Sequence, residues 1–222
     1  MIWNTLYDNL PYLLHGTWIA LQLLAGLLAI GLVLGLALAL VEVYGGRLAR
    51  VCGIVFERVF RGIPAVVLLL LSYYGVSDFI EIPPFLAAVL ALGLRSTAYQ
   101  SQIFRGAIQA VPVGQMMAAR ALGMGRVEAI FRIVIPQAMR HAIGPWTNEF
   151  SSELKATSLA YVIGVIELTR QAKYIISSTQ GNILIVFGVV AIIYFIINRL
   201  GNIALYRLEA RMTVPGFERR RA

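Results

Sequence analysis

The chain has 222 residues, of which 59% are apolar and only 14% charged, and its net charge is +8. A mean hydropathy of +0.77 over the whole length leaves no room for a separate soluble domain. Cys52 is the only cysteine, and the two histidines, His15 and His141, are far apart, so neither a disulfide framework nor a Cys/His metal site is expected. No GxxxxGK[ST], HExxH or GxSxG pattern occurs, which removes the usual grounds for reading an enzyme, and the chain is not expected to hydrolyse ATP itself.

Apolar runs of bilayer length divide the chain into five expected spans, an all-α integral membrane architecture in a single domain over residues 1–222. The first covers about residues 17–43. The stretch before it carries Asp8 and no Lys or Arg, so it lacks the basic start of a cleaved signal and is read as a true span. Gly31 and Gly35 form a small-xxx-small pair that would let another helix approach closely. A loop with Arg47, Arg50, Arg58 and Arg61 leads to the second span, about 53–76, with Pro64 at a position where a helix's first turn tolerates it. A short loop holds Asp78, Glu81 and the pair Pro83-Pro84. The third span, about 85–107, is unusual in carrying Arg95, Tyr99, Gln100 and Gln102. A basic loop over about 111–136 reads as a short helix, a turn at Gly123 and Gly125, a second helix, and a break at Pro136. The fourth span, about 142–166, contains Glu149, Glu153 and Lys155. The fifth, about 183–205, is free of acids and has Arg199 near its end.

Cations fix the expected orientation. They collect in the first loop, in the region from Arg105 to Arg140, and from Arg199 to the arginines at 219–221, whereas the two remaining loops hold only Arg170 and Lys173. The positive-inside rule then places the N-terminus outside and the C-terminus, with the 111–136 loop, in the cytoplasm. The expected localisation is the cell's inner membrane.

The 111–136 loop resembles the EAA loop of type I ABC importer permeases. Ala118-Ala119, Gly123, Ile133 and Ile135-Pro136 fall at the motif's spacing, with Met117 where the motif has Glu. Phe60-Arg61-Gly62-Ile63-Pro64 is similar to the FRGTP segment of polar amino-acid permeases. Residues 98–106 are similar to their AYxxEIxRG segment, with Gln102 at the usual Glu. Lys155-Ala156-Thr157-Ser158-Leu159 is similar to KDTSL, with Ala156 at the usual Asp, and Glu167-Leu168 to the Glu-Leu that follows. The resemblance implies a five-helix permease subunit of an ATP-driven polar amino-acid importer. It implies several partners: cytoplasmic ABC ATPase subunits (two of them) that carry ATP and Mg, a second permease copy or homologue, and an extracytoplasmic solute-binding protein. Nucleic acid is not among them. On this reading Met117, Ala118, Ala119 and Gly123 form the ATPase-coupling surface, with the small residues admitting a partner closely.

Charges at bilayer depth cost about 2.5–3.5 kcal/mol each on insertion scales, so those inside spans need partners or a wet cavity. Arg95, Tyr99 and Gln102 share a helical face, as do Glu149 and Glu153. Arg95, Tyr99, Gln102, Glu149, Glu153, Lys155, Thr157 and Ser158 are therefore the substrate-pathway candidates, offering both signs of charge to a zwitterion. Arg95 and Glu153 either face such a solute from one cavity or pair with each other. A stand-alone secondary carrier or channel for a small polar solute is the competing class. Carriers of that kind usually show inverted repeats, and none is visible here.

Overall fold

The computed structural model describes residues 2–77, 80–179 and 182–212. Asp78 and the arginines at 219–221 lie outside the described residues. Those described are nearly all helical, with no strand among them: α1 (Ile2–Tyr44), α2 (Arg47–Gly62), α3 (Ala65–Ser77), α4 (Pro84–Ala110), α5 (Val113–Ala121), α6 (Arg126–Ala129), α7 (Ile135–Ala156), α8 (Leu168–Thr179) and α9 (Ile183–Met212). By length and composition α1 and α9 suffice to cross a bilayer, and α3 is a shorter apolar helix.

Prolines set most of the boundaries. Ile63 and Val111, each before a proline, are extended, and they end α2 and α4. Pro84 opens α4 and Pro112 caps α5. The expected second span is therefore two helices, α2 and α3, broken at Ile63-Pro64. Helix α1 also begins well before the expected residue 17 and carries Pro11 inside it. The break expected at Pro136 does not occur. Instead α6 continues through a π turn, Ile130–Val134, into α7. The Ile135 N–H reaches the Ile130 carbonyl five residues back, and Pro136 falls in the first turn of α7. A wider turn accommodates a ring that lacks an N–H and would clash in a regular α-helix. At the other end of α7, a 3₁₀ segment, Thr157–Ile163, follows directly.

Helix α4 is the centre of the bundle, packing on α1, α7, α3 and α2. Its approach to α1 depends on Gly31 and Gly35. A Cβ on Gly31 would meet Ser96 Oγ at 2.6 Å, and one on Gly35 would meet Gln100 Cβ at 3.0 Å and the Ser101 nitrogen at 3.1 Å. The small-xxx-small pair thus marks the α1–α4 seam. Buried Leu23, Leu27, Leu69, Leu92, Leu154 and Ile163 form one core cluster, and Phe104, Ile108, Val134 and Ala142 another beside the loop. Outside these clusters α1, α3 and α9 present Val33, Leu71, Phe195 and Leu200 outward, an apolar surface suited to lipid or a second helical subunit.

Candidate functional site

The polar side chains of α4 form a ladder along one face. About 16 Å into α4, by its rise per residue, Arg95 Nη1 donates to Glu153 Oε1 of α7 at 2.8 Å. Glu153 is fully buried, while the Arg95 side chain keeps 16% of its surface. Tyr99, one turn on, is flanked by two guanidiniums, with Arg95 4.6 Å and Arg61 5.0 Å from its ring centroid. Such stacking favours a planar, weakly hydrated cation over lysine. Arg61 also pairs with Glu57 at 3.1 Å, and Gln102 donates to the same carboxylate. Arg105 then bridges Glu57 at 3.2 Å and Glu42 of α1 at 2.6 Å. Signs alternate from Glu42 to Arg61, so each buried charge there has a counterpart, as low dielectric demands.

The structure thus joins Arg95, Tyr99 and Glu153, and sends Gln102 to a second group below them. Gln102, on the Arg95 face of α4 by its spacing, donates to Glu57 of α2 rather than to Glu153. Arg61, Glu57, Arg105 and Glu42 were read from sequence as orientation charges or not singled out. The Glu57/Arg61 spacing of four is the signal that could have found that pair. Arg105 belongs to α4 rather than to the basic loop.

Glu149 and Glu153 are both buried, and Glu149 Oε1 and Glu153 Oε2 accept no hydrogen bond within the described residues. Buried acceptors left unmade are costly. Arg95 spends one N–H on Glu153 and keeps other donors of its planar fork. Thr157 is buried and donates to the Leu154 carbonyl at 2.7 Å, while Ser158 donates to the Lys155 carbonyl at 2.7 Å. Both hydroxyls thereby stabilise the change from α to 3₁₀ winding. Lys155 itself is exposed.

The loop after α4 folds back on the bundle. Gly123 takes φ +88, a left-handed conformation that favours glycine, and closes α5. Ala118 and Gly123 are exposed, but Ala119 is buried at 4%. Of the four residues expected at the coupling surface, Met117, Ala118 and Gly123 are thus exposed and Ala119 is buried. Met117 is 63% exposed, and Leu122 at 82%, Val127 and Phe131 also face outward. Arg126 ties this loop to the end of α1, donating to the Tyr44 carbonyl at 3.5 Å.

A family model described as the inner membrane component of binding-protein-dependent transport systems matches residues 31–214. The chain belongs to this family. It is a membrane-embedded permease subunit of an ABC importer, not an enzyme, and inner membrane is its location. It is 37% identical over 221 residues to the glutamine transport system permease protein GlnP of Escherichia coli strain K12, covering 96% of this chain and 98% of the relative. It is 38% identical over 203 residues to the octopine transport system permease protein OccM of Rhizobium radiobacter, covering 87% and 82%. Among solved structures it is similar to a chain of an amino acid ABC transporter crystallised with histidines, at 35% identity, 93% and 96% coverage and a TM-score of 0.84. In this ABC permease the charge ladder accordingly lies within a transport subunit.

Proposed function

We propose that this permease passes a polar amino acid across the membrane along the Arg95–Tyr99–Glu153 face. The observation that carries the reading is the Arg95–Glu153 contact beside Glu149: a cation with spare donors and carboxylates with spare acceptors, held together in an apolar bundle. Relatives named for glutamine and octopine transport support the same cargo class. A second permease, a copy or a homologue, completes the path. Two cytoplasmic ATPase subunits bind ATP and Mg and press on the loop at 111–136, where exposed Met117, Leu122 and Phe131 supply an apolar contact face. An extracytoplasmic solute-binding protein delivers the cargo.

The N-terminus is outside. The basic segments support this, since α1 ends beside Arg126 of the loop and Gly144 of α7 lies against Glu209 near the end of α9, grouping the cation-rich stretches at one end. With Cys52 replaced, single cysteines at Asp8 and Lys173 are expected to label from outside and one at Gln115 to stay unlabelled. Outside labelling at Gln115 overturns this orientation. The transport reading is tested in proteoliposomes holding the permease with its ATPase. Uptake of labelled L-glutamine should require ATP and the binding protein and persist when ion gradients are collapsed. Gradient-driven uptake by this chain alone would instead make it a secondary carrier.

A further inference from the structure

Helix α8 carries a cationic cleft that the ladder does not use. Glu167, fully buried, caps the helix by accepting from the Thr169 N–H at 2.8 Å and the Arg170 N–H at 3.0 Å, and takes the Tyr194 hydroxyl at 3.2 Å. That carboxylate is spent on the backbone and holds α8 fixed. Arg170 Nη1 then donates to the Tyr161 carbonyl at 2.9 Å and Nε to the Tyr174 hydroxyl at 2.9 Å. Lys173 Nζ sits 4.0 Å over the Tyr161 ring. The cleft between α8 and the 3₁₀ segment holds about 460 Å³ and is lined by Tyr161, Val162, Arg170, Lys173, Tyr174 and Ser177. Neither Arg170 nor Lys173 forms an ion pair among the described residues.

Long cationic side chains ordered on aromatic faces, with no counterion, are prepared for an incoming anion. A zwitterionic cargo would want a carboxylate here for its ammonium, and the lining supplies none. A protein carboxylate needs only what is present. We propose that this cleft receives an Asp or Glu side chain of the solute-binding protein, making α8 an electrostatic docking element. The inference rests on the proposed orientation, in which α8 faces the outside and its cations are the exception to the cation-poor character of that side.

The test uses the complete transporter in nanodiscs and its amino-acid-loaded binding protein. Lys173→Glu reverses an exposed charge that makes no structural hydrogen bond, so folding and basal ATP hydrolysis should be unchanged. Affinity for the binding protein should fall on the order of tenfold at low salt, and the gap should shrink at high salt as screening grows. Replacing one acidic residue of the binding protein by lysine should restore it. Wild-type affinity in Lys173→Glu overturns the docking role while leaving the permease reading intact. Unchanged docking with a raised KM for free amino acid also overturns it, and moves the cargo's carboxylate into the cleft. A wild-type transporter that binds no such protein overturns both readings.

Discussion

At the scale of single residues, the most informative atoms are the buried carboxylate oxygens without a hydrogen-bond partner among the described residues. Glu149 is 8% exposed, with Oε1 unbonded. If that oxygen serves the cargo's ammonium, Glu149→Gln keeps the shape and removes the charge. Stability should hold or rise, because the Glu149 carboxyl group is buried beside that of Glu153. Uptake should drop roughly ten- to a hundredfold, the worth of one hydrogen bond to a charged group. Thermal unfolding of the purified complex, measured beside uptake, checks both halves, and wild-type uptake removes Glu149 from the path. The sequence made Arg95, Glu149 and Glu153 conspicuous because charge inside a span is expensive. It could not say that Arg95 reaches Glu153 while Gln102 turns to Glu57, since partner choice depends on how α2, α4 and α7 are placed. Arg61 was hidden for a related reason, as a cation beside a basic loop looks like orientation charge until its contact with Tyr99 is seen.

At the scale of elements, the α5–α6 loop separates two kinds of small residue. Ala119 is buried, whereas Leu122 stands 82% exposed just after α5. A carboxylate at each position should therefore fail differently. Ala119→Glu puts a charge into a closed contact and should disturb the loop itself, lowering stability by several kcal/mol. Leu122→Glu should leave the permease as stable as wild type while uncoupling ATP hydrolysis from transport, read as uptake per ATP. Normal coupling in Leu122→Glu places the ATPase contact elsewhere. The loop's helix–turn–helix form was legible from its alanines and from Gly123, whose positive φ explains the residue. The continuation through Pro136 was not, because proline permits either a break or a first turn, and the π turn before it decides between them.

At the scale of the whole molecule, α4 carries a polar stripe at the centre of the bundle, packed on α1, α7, α3 and α2, and the charges inside its apolar run are what the hydropathy pattern revealed. The Gly31/Gly35 seam with α1 could be read directly, since a close approach leaves a spacing signature. The break between α2 and α3 was masked by a continuous hydropathic run over a proline, and the extent of α1 by the ordinary composition of its first turns. The central claim is that the charges within the bundle meet cargo rather than only each other. Arg95→Leu alone leaves Glu153 buried and unpaired and should cost about 3–5 kcal/mol of stability. Adding Glu153→Leu removes the orphan and should restore the melting temperature. The decisive measurement is amino-acid uptake by that stable double variant, assembled with its ATPase and binding protein. The account predicts uptake close to background, because the groups that receive the zwitterion are gone; uptake restored to the wild-type rate would reduce Arg95 and Glu153 to a structural ion pair.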